Sequence, residues 1–221
     1  MIKCKLLHLI MNIVKLLHLK QVKVQLIALI VVLIFKIKYI CSMKILVVDI
    51  ETTGLYTNSD AIVEIGISLV DTNTKKVTLL FDKIVKDKIL TKWKHQNGWV
   101  FNNSDLTYEE VENAEPIEHY FDEIQSYFDK YKMTAYNKSF DLRFLRRAGF
   151  KINDIKCLMK TATQYSILKD KLGRVKKPSV EEIYNQFFIK EGDAYIEKHR
   201  AGADVLDESR ILLHMVDLKK K

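Results

Sequence analysis

The chain has 221 residues, 36 basic and 28 acidic side chains, a formal charge of +8, seven glycines and two prolines. That suits one globular domain with an appendage, and excludes collagen-like and low-complexity linker proteins. Three cysteines, Cys4, Cys41 and Cys157, make neither a disulfide framework nor the paired spacing of a zinc site, and so point to a reducing, cytoplasmic compartment.

Residues 1–42 are a different material from the rest. They hold seven lysines and no Asp, Glu, Gly or Pro, and 29 of the 42 are apolar. The longest uncharged run, Val24–Phe35, has 12 residues, short of the roughly 20 that cross a bilayer. No small-residue cleavage site follows it. Two readings stay open: upstream sequence translated from a mis-assigned start, with Met43 the working first residue, or a basic segment that associates with a membrane surface. Either way the domain is expected over 43–221, where the other 29 basic residues face all 28 acidic ones, a net charge of only +1.

Lys44–Asp49 reads as a strand buried on both faces, because Ile-Leu-Val-Val runs without a polar interruption. Ala61–Val70 alternates, with Val63, Ile65, Ile67 and Leu69 on one face and Glu64, Gly66 and Ser68 on the other. A turn at 71–75 leads to a third strand over Lys76–Val85. Residues 86–105, with Trp93 and Trp99, read as an irregular loop. Thr107-Tyr-Glu-Glu110 is a capping box that opens a short helix. Pro116 opens the next, with Ile117, Tyr120, Phe121, Ile124 and Phe128 at helical spacing. A short strand over Met133–Tyr136 precedes a helix over Ser139–Ala148 that Gly149 stops. Further helices are expected over Leu158–Leu168, from the second capping box Ser179-Val-Glu-Glu182 to about Phe188, and over Ala203–Val216. The order makes a mixed α/β domain.

Three short patterns carry chemistry. The first strand ends Asp49-Ile-Glu51-Thr52-Thr53-Gly-Leu55, and residues two apart on a strand share a face. Paired carboxylates there repel each other unless a divalent cation sits between them. The second pattern is Asn137-Lys-Ser-Phe140-Asp141, at a strand-to-helix junction. The third is His199-Arg-Ala-Gly-Ala-Asp204, which enters the last helix. Singly, each has an ordinary structural reading: solvated acids at a strand end, or an acid complementing a helix N-terminus.

Together, in this order, they resemble the DEDDh family of 3′–5′ exonucleases, which includes the proofreading epsilon subunit of bacterial DNA polymerase III, ribonuclease T, oligoribonuclease and Trex-type enzymes. The resemblance covers essentially all of 43–221. It implies a ribonuclease-H-like fold: a mixed sheet of about five strands, the first three antiparallel, flanked by helices, with the fifth strand around Ile152–Lys156. It makes Asp49, Glu51, Asp141 and Asp204 the metal-binding carboxylates and His199 the general base. It also places Thr52, Thr53, Leu55, Asn137 and Phe140 around the terminal nucleotide. An all-oxygen donor set suits Mg²⁺ or Mn²⁺, two ions bracketing the scissile phosphate. An imidazole, with an ordinary pKa near about 6.5, suits proton removal at neutral pH.

The activity so implied is release of nucleoside 5′-monophosphates from a single-stranded 3′ end, with DNA first. RNA, or a non-catalytic module that holds a nucleic acid or a DNA polymerase, is the alternative. The low charge of 43–221 favours a single strand over a long duplex, because phosphate contacts dominate non-specific affinity. The loop 169–177 carries five positive charges against one negative, which suits either a solvated face or a phosphate track. Trp93, Trp99 and Tyr136 suit core packing or base stacking, and Cys157 suits a buried apolar position.

Overall fold

A computed structural model describes residues 43–189, 192 and 194–219; the leader expected over 1–42 lies outside the described residues. These residues form four strands, β1 (Lys44–Thr52), β2 (Ile62–Asp71), β3 (Lys76–Ile84) and β4 (Lys132–Thr134). Their helices are α1 (Lys92–His95), α2 (Trp99–Asn103), α3 (Tyr108–Glu112), α4 (Phe121–Lys130), α5 (Lys138–Arg147), α6 (Leu158–Ala162), α7 (Val180–Phe188) and α8 (Ala201–Leu218).

The strands form one sheet in the order β3-β2-β1-β4. β1 to β3 make the antiparallel meander that the alternation and the 71–75 turn imply, and β4 joins β1 in parallel. Apolar side chains on both faces of β1 require a layer on each side. Leu46, Val48 and Ile50 pack with Ile124 and Phe128 of α4 and Leu142 and Leu145 of α5. Ile45 and Val47, on the opposite face, pack with Ile183 of α7 and Val205, Ile211 and Met215 of α8. By the same alternation Asp49 and Glu51 belong to the α8 face.

β2 is buried along nearly its whole length, so its polar positions do not meet water as a simple alternation suggests. They meet α8. Ser68 bonds Ser209 at 2.6 Å. A Cβ on Gly66 would lie 2.2 Å from the carbonyl oxygen of Ala201. Gly66→Ala is therefore expected to cost about 3 kcal/mol of stability, because the clash is with backbone that cannot swing away. Chemical denaturation measures it, and a cost near zero would mean that the start of α8 yields freely.

Three expected elements come out shorter. The fifth strand is reduced to a single parallel bridge between Met133 and Asp154. β4 is only three residues long, and the chain turns into α6 directly after Cys157, which leaves nothing for a longer ladder. β4 ends at Thr134 rather than Tyr136. Tyr136 leaves the ladder because its N–H goes to Glu208 and its hydroxyl to the carbonyls of Pro178 and Ser179. α6 ends at Ala162 rather than Leu168, where the hydroxyls of Thr161 and Thr163 bond back to Cys157 and Met159 and compete with helix continuation.

The stretch 86–105 is not wholly irregular, since it contains α1 and α2. Four- and five-residue helices are too short to show a period in sequence. Burial fixes them instead. Val100 joins a small core with Val63, Leu106 and Val111, and the buried His95 ring contacts the backbone at Thr91 and Ser59. Both capping boxes form as expected, at Thr107 and Ser179.

Candidate active site

β1, an interior strand, carries Asp49 and Glu51 near its carboxyl end, beside two helix starts. Asp141 sits in the first turn of α5 and Asp204 in the first turn of α8, where an acid favours the helix dipole. Both are almost completely buried. Ligand atoms of Glu51, His199 and Asp204 lie within 4.8 Å of one another. Asp204 accepts from the backbone N–H groups of Arg200 at 2.9 Å and Lys198 at 3.3 Å, so it organises the turn that carries His199. That residue has φ 53°, a left-handed conformation that a non-glycine side chain holds only where its surroundings fix it.

The carboxylates act on one another electrostatically. Burial, then the charges of Glu208, Glu51, Asp141 and Asp204, push Asp49 well above the usual carboxylate range. Glu51 is raised to about 9, by burial first and then by Asp204, Glu64, Glu197 and Asp141. Burial lifts Asp141 to about 7, with backbone hydrogen bonds at Asp141 and Ile50 pulling the other way. Asp204 is raised by burial, with the Arg200 and Lys198 backbone bonds opposing. A group of acids that all resist ionisation is the electrostatic signature of a cation site.

Above them opens a cleft of about 450 Å³ lined by Ile50, Glu51, Thr52, Gly54, Leu55, Trp99, Phe140 and His199. Leu55 is 71% exposed and Trp99 53% exposed, so the mouth offers apolar surface to a ligand. The indole of Trp99 meets the His199 ring edge-on, with centroids 4.7 Å apart. Of the residues expected around a terminal nucleotide, Thr52, Leu55 and Phe140 line the cleft; Thr53 and Asn137 do not. The Thr53 hydroxyl accepts from Ala61 N–H at 2.9 Å and the Thr52 hydroxyl donates to the Gly54 carbonyl at 2.7 Å, so both shape the turn after β1. Trp93 stands out in solvent, while Tyr136 and Cys157 are core residues. In the loop 169–177, Arg174 pairs with Asp170, and Lys176 with Glu182 of α7.

Three contributors were not evident from sequence. Glu208, one turn beyond Asp204 on α8 and 2% exposed, faces the same acids and is pushed well up by burial, Asp141, Glu197 and Asp204. Its spacing of four residues from Asp204 was the available signal. Glu197, two residues before His199, is raised to about 7 by burial and the charges of Asp204, Glu181 and Asp207. Arg147 of α5 pairs with the buried Asp87 and donates to the carbonyls of Thr57 and Asp60 at 2.6 Å. It thereby pins the loop that presents Leu55, through contacts 60 and more residues apart in sequence.

The fold is a mixed α/β domain with an acidic centre at the carboxyl end of its first strand. Residues 46–212 match the RNase_T family model, described as exonuclease, and the chain belongs to that family. This bears out the resemblance carried by Asp49, Glu51, Asp141, His199 and Asp204. Among solved structures, the full-length 3′-exonuclease aligns with a TM-score of 0.57 at 15% identity, over 80% of this chain and 62% of that one. The nuclease domain of 3′hExo, a DEDDh family member bound to rAMP, aligns with a TM-score of 0.58 at 16% identity, over 80% of this chain and 93% of that one. Exonuclease I of E. coli in complex with a dA16 oligonucleotide aligns with a TM-score of 0.57 at 16% identity, over 78% of this chain and 40% of that one. These likenesses establish the ribonuclease-H-like fold, with four strands in this chain. No curated protein matches the sequence.

Proposed function

We propose that this exonuclease works on the 3′ end of a single strand and releases nucleoside 5′-monophosphates, DNA before RNA. The observation that carries the reading is the meeting of Glu51, His199 and Asp204 within 4.8 Å at the floor of a cleft whose mouth is apolar. One strand end fits there better than a duplex, since Leu55, Phe140 and Trp99 offer surface for one or two unstacked bases.

The donor set fits a hard divalent cation. Asp49, Glu51, Asp141 and Asp204 are oxygen ligands, and burial holds their pKa values up, with repulsion from the neighbouring acids adding to it at Asp49 and Glu51. These four would hold Mg²⁺ or Mn²⁺, two ions by the resemblance, which when bound supply Lewis acidity and cancel charge at the phosphodiester. His199 takes the proton from the attacking water. Thr52 shapes the turn beneath the nucleotide, and Leu55 and Phe140 fix the base. Thr53 and Asn137, which the resemblance also places near the nucleotide, lie outside the cleft lining, and Thr53 acts by holding the turn after β1.

Matched DNA and RNA oligomers, each with Mg²⁺ or Mn²⁺ and each set against Asp49→Ala, test the reading. Faster loss of the DNA strand, abolished by Asp49→Ala, is expected. Faster loss of RNA would place the enzyme with the ribonuclease T and oligoribonuclease types. Binding with equal turnover in wild type and variant would favour a non-catalytic module.

A further inference from the structure

Arg200 follows His199 and closes the turn into α8. Its guanidinium donates from Nε to both carboxylate oxygens of Glu64 at 3.1 Å and from Nη2 to Oε1 at 2.8 Å. The backbone N–H of Ala201 donates to the same carboxylate at 2.9 Å. Glu64 is 1% exposed, and these donors are the hydrogen-bond partners its buried carboxylate needs. It stands opposite Glu51 in the β1–β2 register, beside the acids of the site. The other arm of the fork, Nη1, donates to Asp105 at 2.7 Å, just beyond α2. That helix carries Trp99, whose ring rests against His199. One side chain thus joins a central strand, the turn that holds His199 in its left-handed conformation, and the segment that brings Trp99 over the imidazole.

We propose that Arg200, through its fork to Glu64 and Asp105, is a positioning residue that fixes the His199 ring between Trp99 and the carboxylates. The proposal rests on the reading of His199 as the proton acceptor. Arg200 touches no substrate and acts through its neighbour. Lysine does not replace it, because a point charge cannot hold two carboxylates in one planar fork.

A double-mutant cycle tests this. Arg200→Lys keeps a cation beside Glu64. It is expected to lower kcat on the order of 30-fold with KM within about twofold, because a misplaced catalytic group slows turnover and leaves binding intact. In a His199→Ala background the same substitution should change kcat by less than about twofold, since the group it positions is gone. An unchanged kcat in Arg200→Lys, or an equal fold-loss in both backgrounds, overturns the proposal. Full activity of His199→Ala itself overturns the proton-acceptor reading instead, so the two failures are distinct. If Arg200→Lys does not fold, Asp105→Asn, at an exposed carboxylate, takes its place. A loss of about fivefold in kcat alone, absent in the His199→Ala background, supports the outer arm of the fork; no loss overturns it.

Discussion

Asp49→Asn is expected to lower turnover on the order of 10³-fold while raising the melting temperature measured in chelator. The two effects share one cause. Asp49 lies among Glu51, Asp141, Asp204 and Glu208, and burial together with their charges raises its pKa. Without a cation the carboxylate is a burden to the fold, so an uncharged isostere relieves repulsion. With a cation it is a ligand, and losing several kcal/mol of transition-state stabilisation costs about a factor of ten for each 1.4 kcal/mol. Single-turnover kinetics and a thermal melt in EDTA measure the pair. A variant that is inactive and also less stable in EDTA would mean that hydrogen bonds tie Asp49 into the fold more strongly than its neighbours repel it.

The second large effect is the pH dependence of stability without metal. Glu51 is raised to about 9, and Asp141 and Glu197 to about 7, all above their ordinary carboxylate values. Between the ordinary and the raised value, the folded chain holds protons that the unfolded chain has released. The unfolding free energy therefore falls as pH rises. This contribution is complete below about pH 4 and is lost by about pH 9, with the steepest loss between about pH 5 and 7, where all three groups hold a proton only in the folded chain. Mg²⁺ competes with those protons, so the stabilisation it gives should grow with pH. Melting temperatures at about pH 6, 7 and 8.5, in EDTA and in Mg²⁺, show both trends. A metal-free melting temperature that climbs from pH 6 to 8.5 would contradict the electrostatic account.

The parts of the fold that were legible in sequence rest on local chemistry. The uninterrupted apolar run of β1, the turn at 71–75 and the capping boxes at Thr107 and Ser179 needed no tertiary information. The acids of the site were legible because each lies at the end of a strand or the start of a helix, where a short pattern fixes its direction. What stayed hidden depends on partners distant in sequence. Glu64 reads as the polar side of an alternating strand, yet it is buried because Arg200, 136 residues on, comes to meet it. For Trp99 the sequence left core packing and base stacking both open, since α2 has no period and owes its place to Val100 packing against Val63. The fifth strand failed for a related reason: β4 is too short to carry a ladder beyond Met133.

The central claim is tested most directly on a 5′-labelled single strand of DNA, incubated with the full chain and Mg²⁺ or Mn²⁺. The account predicts stepwise shortening from the 3′ end with nucleoside 5′-monophosphates as products, no reaction in EDTA, and the large loss of turnover given above with Asp49→Asn. Full cleavage in EDTA, internal cuts, or products that carry a 3′-phosphate would contradict it.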